Sequence, residues 1–412
     1  HADTAWQLFA ATNRAELELY LDDVVAKGFT VVQVFMTTIW SQNNDTPNAE
    51  NAVGEQPFVG NNPSQLNPKY FDYMALAIEE AAERGLYTAV MFGEPARTNQ
   101  DPALPYALNS KEQAYAYAYA LGERFREPTL KNKIIWFNGQ DRNPNRDLGE
   151  DVWLALSEGL ADGVNATKSF DGQADYSKVF MSYHEDGHTS LVQPFFTAEP
   201  WLDFYALNTY QHYASLVDNI TARYNTTPKK PVVCIEQAYE DSNRFGEAKT
   251  PWFIRFQGYW CYLSGAVGYA YGHNDGQYVA DGPSWPNYLN DEGRLDMAHL
   301  KAVISSRAPE KRVPDQSLIV SDAAEADKEK DYIAAARASD GSYAFIYSTN
   351  GRGFSVNLTK LSGAQVKAQW FNPRDGSYQT VATVAKTASQ VFTPPGTIGP
   401  DNDWLLVLDA QP

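Results

Sequence analysis

The chain is 412 residues long, with 43% hydrophobic and 13% aromatic residues, which is enough to bury a large core and excludes general disorder. Its 51 acidic and 33 basic residues give a net charge of −18, which disfavours nucleic acid and anionic membranes as partners. No run approaches the roughly 18 consecutive apolar residues that a membrane-spanning helix needs.

Apolar runs typical of β-strands alternate with helical patterns from the start of the chain to about residue 310. The stretch "DTAW" at Asp3–Trp6 marks the end of a first run. Seven further runs follow at Phe29–Met36, Leu86–Phe92, Lys133–Phe137, Lys178–Tyr183, Leu202–Thr209, Pro231–Ile235 and Ala266–Tyr271. Strands that alternate with helices predict parallel strands joined by right-handed crossovers.

Capping residues predict where several helices begin. Asn13 and Glu16 form a capping-box pattern, and Asn67 precedes a proline, Pro68, at the first helical position. The segment "AYAYAYAL" alternates like a strand, but Ser110 upstream and the high helix propensity of alanine favour a helix. Further helices are predicted at Leu148–Gly163, Trp252–Leu263 and Met297–Ser305.

Eight strand–helix units over about 310 residues predict an α/β fold, a (β/α)8 TIM-type barrel at residues 1–310. An open doubly wound sheet is the alternative. The glycine-rich phosphate-binding motifs that usually accompany such a sheet do not occur at the strand-to-helix turns of this sequence.

A second domain is predicted after a charged, proline-containing linker at Arg307–Ser317. Helical periodicity ends there, and turn signals such as "SDGS" and "PRDGS" separate short apolar runs. These runs are Ile333–Ala336, Tyr343–Ser348, Gly353–Leu358, Gln365–Asn372, Thr380–Ala382 and Trp404–Leu408. The pattern predicts a small antiparallel β-sandwich at residues 314–412.

Polar side chains follow nearly every predicted barrel strand, at the end where barrels of this kind carry their active-site groups. In chain order they are Asp3 and Trp6, Glu94, Asn138 with Gln140 and Asp141, His184, Asn208 with Tyr210 and Gln211, Glu236 with Tyr239 and Glu240, and His273. One such strand end would be ordinary, but seven together predict a polar cleft rimmed by aromatic rings.

Two of these residues, Asp141 and Glu236, follow the fourth and seventh strands. Asp141 alone can be interpreted as a turn residue, and Glu236 either as part of a satisfied ion pair or as a reactive group, since burial penalises an unpaired carboxylate. Taken together they supply what glycoside hydrolysis needs, namely an acid for the leaving oxygen and a second carboxylate as nucleophile or base.

A zinc-peptidase pattern, H-E-x-x-H, occurs at His184–His188. That chemistry requires both histidines on one helical face. The stretch instead follows a predicted strand and contains an Asp-Gly turn pair, so zinc hydrolysis is retained only as a remote alternative.

Several motifs, in order along the chain, resemble the apiosidase-like glycoside hydrolases: "DTAW", "GFTVVQV", "IIWFNGQDRNP", "SYHEDGHTS", "VVCIEQAYE" and "SGAVGYAYGHND". The C-terminal "WFNPRDGSY" and "FTPPG" are similar to the small sandwich domain that commonly follows that barrel, whose family label mentions collagen binding, although nothing in this sequence supports peptidase chemistry. The family's W-x-x-G-G-D motif reads "WFNGQD" here, so Gln140 replaces a glycine and reshapes the pocket beside Asp141.

The resemblance implies that Asp141 and Glu236 are the catalytic carboxylates. By analogy with retaining glycosidases, we expect Asp141 to be the general acid/base and Glu236 the nucleophile. The expected substrate-binding residues are Asp3, Trp6, Trp40, Glu94, Asn138, Gln140, His184, Tyr210, Gln211, Tyr239, His273 and Trp285, with the tryptophans as stacking platforms.

The sequence thus predicts a secreted or periplasmic monomer that hydrolyses a pentose-containing plant or algal polysaccharide without metal or cofactor. The alternative, from a different functional class, is a barrel that binds glycans without catalysis.

Overall fold

The computed structural model describes residues 1–37, 50–93, 108, 110–145, 149–187, 194–210, 213–243, 246–275, 285–321 and 330–412. Within these ranges, no helix combines the length and the apolar character that crossing a bilayer requires.

Eight strands form one sheet in the order β5-β4-β3-β2-β1-β8-β7-β6. The pairs β1–β2, β2–β3, β3–β4, β4–β5 and β7–β8 are parallel. The strands are β1 Ala2–Thr4, β2 Val31–Phe35, β3 Tyr87–Met91, β4 Ile134–Arg142, β5 Met181–Glu185, β6 Tyr205–Asn208, β7 Val232–Glu236 and β8 Gly268–Tyr271.

The two ends of this order, β5 and β6, also contact each other. The backbone N–H of Asp203 donates to the carbonyl of Met181 at 2.9 Å. The hydroxyl of Ser182 donates to the carbonyl of Phe204 at 2.7 Å. The sheet therefore closes, and the predicted (β/α)8 barrel is confirmed.

Helices follow the strands, and their caps agree with the sequence. The predicted capping box of Asn13 and Glu16 is present, Asn67 accepts from the N–H of Lys69, and Ser110 begins the alternating segment as a helix. The helices are α1 Leu8–Ala11, α2 Arg14–Ala26, α3 Pro68–Glu83, α4 Lys111–Arg124, α5 Pro128–Lys131, α6 Glu150–Asn165, α7 Leu216–Asn225, α8 Pro251–Leu263 and α9 Glu292–Ser305.

The C-terminal region is the predicted antiparallel sandwich. Six strands pair in the order β14-β13-β16-β11-β10-β9, and β12 pairs with β15. They are β9 Arg312–Pro314, β10 Ile333–Ala338, β11 Tyr343–Ser348, β12 Phe354–Val356, β13 Gln365–Phe371, β14 Tyr378–Ala385, β15 Gln390–Phe392 and β16 Trp404–Gln411. One apolar core holds both sheets together, with Phe354 and Phe392 from the small sheet buried against Ile346, Trp370 and Leu406 from the large one.

Four of the elements differ from the prediction. Strand β4 does not end at Phe137 but continues to Arg142. The expected linker contains a strand, β9, whose Val313 pairs with Arg337 of β10. Helix α7 and strand β15 were not predicted, because a ten-residue helix rich in polar residues and a three-residue strand give weak periodic signals.

Two compact units can be distinguished among the described residues. The first lies within His1–Thr189, Pro194–Asn208 and Gly272–Leu289, and the second within Thr209–Tyr271 and Asn290–Pro412. The second unit thus contains β7, α8, β8 and α9 of the barrel together with the whole sandwich. The domain boundary near residue 310 stays a prediction.

A fully buried arginine, Arg255 of α8, joins the barrel helices of the second unit to the sandwich. Its guanidinium donates to Asp296 of α9 at 2.7 Å, to Asp403 beside β16 at 3.0 Å, and to Asp401. Burial raises the pKa of Asp296 to about 7 although Arg255 opposes the shift, which indicates how costly ionised carboxylates are at this position. Arg374 also donates to Asp403 at 3.0 Å, so Arg255 is the cation that Asp296 and Asp403 share.

Aromatic side chains surround this cluster and complete the junction. Tyr259 of α8 stacks on Tyr347 of β11 with 4.3 Å between ring centroids, and the Tyr347 hydroxyl donates to Asp403 at 2.8 Å. The indole of Trp252 donates to the carbonyl of Thr349 at 2.8 Å. Within the second unit, helix α8 is thus packed on the sandwich as tightly as a core element.

We predict that Arg255→Met lowers the free energy of unfolding by about 3–5 kcal/mol, because it takes from the buried Asp296 the cation with which it pairs at 2.7 Å. The control is Lys311→Met, whose side chain is 46% exposed beside the similarly exposed Asp340 and should change stability far less. Urea unfolding measures both. Equal losses for the two variants would contradict the structural role assigned to Arg255.

Candidate functional site

The C-terminal end of β4 departs from regular strand geometry. Asn138 pairs with Tyr183 of β5 and Arg142 pairs with Glu185, so three residues stand opposite the single residue His184. All three have positive φ angles, 105° at Gly139, 74° at Gln140 and 59° at Asp141. Such a bulge redirects side chains at the end of a strand, and it is frequent beside active sites.

Glycine is required at the first position of the bulge. A Cβ atom on Gly139 would lie 2.4 Å from the carbonyl oxygen of His184. Gly93, which follows β3, approaches from the other side, and a Cβ there would lie 2.5 Å from the nitrogen of Gly139. The bulge is therefore enclosed by backbone on two sides, which fixes the direction of the residues that follow.

Asp141 is held by two neighbouring strands. The amide of Asn208, at the end of β6, donates to Oδ1 of Asp141 at 2.9 Å. The backbone N–H of Asp141 donates to Nδ1 of His184 at 3.2 Å, so the neutral imidazole carries its proton on Nε2. The Asp141 side chain is still 29% exposed. This carboxyl is thus oriented, yet it can exchange a proton with a bound molecule.

Asn138 anchors β4 to the helix layer. Its amide nitrogen donates to the carbonyl of Trp153 at 2.9 Å and to the hydroxyl of Ser157 at 3.0 Å, both in α6. Its amide oxygen accepts from the N–H of Gly139 at 2.9 Å. These bonds give Asn138 a structural role on the helix side, and its predicted sugar contact stays a prediction.

Glu236 ends β7 and is 5% exposed. The hydroxyl of Tyr239 donates to its carboxylate, and the Tyr239 ring meets that of Tyr210 edge to face at 6.1 Å. The backbone N–H of Thr209 donates to the Glu236 carbonyl at 3.1 Å. A buried carboxylate that a phenol holds in one orientation is suited to attack or to stabilise an electron-poor carbon.

Glu240, four residues after Glu236, is buried and engaged on both oxygens. Tyr271 of β8 donates to one oxygen at 2.5 Å, and the N–H of Gly293 donates to the other at 2.8 Å. A Cβ on Gly293 would lie 2.7 Å from the carboxylate. Glu240 therefore links β8 to the start of α9.

The predicted aromatic platforms of the first unit are largely buried. Trp6 is 3% exposed, stacks on Phe35 at 4.7 Å and meets His184 edge to face at 5.9 Å. Trp285 is 6% exposed and contacts Tyr20 at 5.6 Å. Their packing orients neighbouring polar groups, while sugar stacking on either ring stays a prediction.

Two further predicted residues have defined partners in the first unit. Asp3 accepts a hydrogen bond of 2.7 Å from the hydroxyl of Tyr20. His273 stacks on Tyr288 at 4.4 Å, and its Nδ1 accepts from the N–H of Asp275 at 3.1 Å.

Some predicted residues lie outside the described residues: Trp40, Glu94 and Gln211, and also His188 of the zinc pattern. Of that pattern, His184 and Glu185 belong to the extended strand β5. They therefore lack the helical geometry that a zinc peptidase of this type requires.

Three residues that were not among the expected substrate-binding residues contact predicted site residues. They are Asn208, which bonds Asp141, Tyr20, which bonds Asp3, and Tyr288, which stacks on His273. Asn208 ends a barrel strand, so its position was a usable signal. Tyr20 lies in the apolar stripe of α2 and Tyr288 in a short 3-10 turn, Trp285–Asn290, and neither place suggests a role from sequence alone.

We predict that Gly139→Ala lowers the free energy of unfolding by about 1–3 kcal/mol more than Gly54→Ala. Both glycines have positive φ, 105° and 80°, but a Cβ on Gly54 meets no atom within 4 Å. The control therefore isolates the overlap with His184. Similar losses in chemical denaturation would show that the enclosure of the bulge is unimportant.

Comparison with known proteins places both parts of the chain in described families. The family model for "Apiosidase-like, catalytic domain" matches residues 1–310, and that for "Putative collagen-binding domain of a collagenase" matches residues 313–409. No curated protein gives a significant sequence match.

Solved structures with the same fold include glycoside hydrolases. A glycoside hydrolase family 5 protein from Bacteroides vulgatus is 25% identical with a TM-score of 0.81, covering 100% of this chain and 88% of that one. Another glycoside hydrolase is 24% identical with a TM-score of 0.82, covering 100% and 92%. A family 30 endoxylanase from Clostridium papyrosolvens is 12% identical with a TM-score of 0.52, covering 100% and 95%. The family match over three quarters of the sequence, together with these structures, shows that the chain belongs to the apiosidase-like family and is a glycoside hydrolase.

Proposed function

We propose that the protein hydrolyses a glycosidic bond of a pentose-containing plant or algal polysaccharide with Asp141 as general acid/base and Glu236 as nucleophile. The observation that carries the proposal is the difference between the two carboxyl groups. Asp141 is partly exposed and held by an amide, whereas Glu236 is buried and held by a phenol. Different environments are what allow two carboxyl groups to take different roles.

Asp141 fits the acid/base role because its position is fixed while its carboxyl remains accessible. The bulge of β4 sets its backbone, and Asn208 holds Oδ1. The Asn208 amide orients the group and carries no charge of its own, and the exposed part of the carboxyl can exchange a proton with a bound molecule. His184 lies beside this carboxyl, with its Nδ1 3.5 Å from Oδ1 of Asp141.

Glu236 fits the nucleophile role because its carboxylate is desolvated and oriented. The Tyr239 hydroxyl donates to one oxygen of Glu236 and so fixes the plane of the carboxylate. Attack by a carboxylate gives a covalent glycosyl-enzyme, which water then hydrolyses with the acid/base residue acting as base. Both steps use groups of this chain alone, and the proposal requires no metal or cofactor.

The family description supports a pentose as substrate, since apiose is a branched pentose. The polysaccharide is proposed because the expected sugar-binding residues, including His184, Tyr210 and His273, come from several strand ends and suit an extended glycan. An extracellular or periplasmic location follows from such a substrate. The protein is proposed to act as a monomer.

Separate Asp141→Asn and Glu236→Gln variants should each lose at least about 10²–10⁴-fold in hydrolysis, because each removes a proton-transfer or nucleophilic group. The measurement is reducing-sugar release from sugar-beet arabinan and saponified apple pectin. Glu18→Gln is the control, since the Glu18 side chain is 40% exposed on α2 and pairs with the exposed Arg14.

Either variant retaining near wild-type hydrolysis while folded, as judged by thermal unfolding, would overturn the assignment. Wild-type protein that stabilises on adding the polysaccharides but releases no sugar would instead favour the non-catalytic glycan-binding alternative.

A further inference from the structure

Gln140 is a buried residue whose side-chain amide has no hydrogen-bond partner. The residue is 3% exposed, and neither its Nε2 nor its Oε1 is hydrogen-bonded within the part of the chain that the structure describes. A buried amide without partners loses its hydration and gains nothing in return, so it destabilises the folded state. Groups of this kind are rare in native proteins, and they require an explanation.

Another buried glutamine shows what a structural amide does in the same protein. Gln257 of α8 is 1% exposed, and its amide donates to the carbonyl of Ala238 at 2.7 Å and to the hydroxyl of Tyr269 at 2.8 Å. It also accepts from the N–H of Ala238 at 3.2 Å. Gln257 thus joins α8 to β8 and to the segment after β7, and Gln140 has no equivalent structural bonds.

The position of Gln140 is also conformationally unfavourable. Its φ of 74° lies in the left-handed region, where glycine is preferred, yet a long side chain is present. Backbone strain and an unbonded amide both lower stability at one residue. Such combinations collect at functional sites, where a bound molecule supplies the missing contacts.

Gln140 directly precedes the partly exposed Asp141. Because its amide makes no bond in the free protein, no bond is lost when the side chain turns toward a molecule held at Asp141. Three rotatable bonds in the side chain permit that turn. The carboxamide offers a donor and an acceptor side by side, which matches a vicinal pair of hydroxyl groups.

We propose that Gln140 is a specificity-determining residue whose carboxamide binds two neighbouring free hydroxyl groups of the sugar beside the scissile oxygen. The inference rests on the proposed function of Asp141 and deepens it, since it names the feature of the substrate that is recognised. Sugars with an unsubstituted vicinal diol are bound, and those in which either hydroxyl is esterified or methylated are rejected. A site built to bond hydroxyl groups discriminates strongly against partners that lack them.

The test compares Gln140→Met with Gln257→Met. Methionine keeps the length and flexibility of glutamine and experiences the same φ strain, so Gln140→Met removes only the amide. Thermal unfolding without ligand should leave Gln140→Met at least as stable as wild type and Gln257→Met clearly less stable. On saponified arabinan and pectin, kcat/KM of Gln140→Met should fall about tenfold. The wild-type preference for saponified over acetylated pectin should also shrink.

Two results would overturn the inference. One is a loss of thermal stability in Gln140→Met that equals the loss in Gln257→Met, which would mean that the amide is structural. The other is unchanged kcat/KM and unchanged preference for saponified pectin.

Failure of this inference differs from failure of the proposed function. If Asp141→Asn and Glu236→Gln are inactive while Gln140→Met keeps full activity and preference, only the role of Gln140 is wrong. If wild-type protein releases no sugar, the proposed function fails. In that case the role of the amide is decided by how much arabinan and pectin fragments raise the unfolding temperature of each protein. A smaller rise in Gln140→Met than in wild type supports the role, and an equal rise contradicts it.

Discussion

The left-handed bulge at Gly139–Asp141 is the constraint on which the candidate active site depends. Three consecutive positive φ angles are accommodated because Gly139 lies against the His184 carbonyl, where no Cβ would fit. The bulge gives Asp141 a backbone bond to His184 and a side-chain bond to Asn208, so residues of β4, β5 and β6 converge on one carboxyl group. It also places Gln140 in a buried position where its amide is unbonded. The roles that we propose for Asp141 as acid and for Gln140 in sugar recognition thus have a common origin in one local distortion.

The strand that carries Glu236 belongs to a unit in which barrel helices pack on the sandwich. Glu236 ends β7 in the second compact unit, which also contains α8, β8, α9 and the sandwich. Arg255, buried with Asp296 and Asp403, fixes α8 and α9 to the sandwich, while Gln257 connects α8 to the segment that follows Glu236. Within this unit the sandwich therefore acts as a support for barrel elements. The collagen-related description of its family is not needed to explain its presence.

Much of the fold could be predicted from the sequence, and the reasons are local. Capping at Asn13, Asn67 and Ser110 and the spacing of apolar runs fix where elements begin, because hydrogen bonding and burial act over a few residues. The strand ends likewise indicated which polar residues to consider. The bulge could not be foreseen, since positive φ at Gln140 and Asp141 results from contacts with β5. The buried partners of Arg255 were equally inaccessible, because they lie 41 to 148 residues away in sequence.

The central claim is that Glu236 is the nucleophile, and covalent trapping tests it most directly. An activated 2-deoxy-2-fluoro arabinofuranoside slows hydrolysis of a glycosyl-enzyme more than its formation, so the intermediate accumulates. We expect a mass increase equal to one fluorosugar, mapped by peptide sequencing to Glu236 and absent from Glu236→Gln. Attachment to a different carboxylate, or turnover of the reagent without any labelled protein, would contradict it.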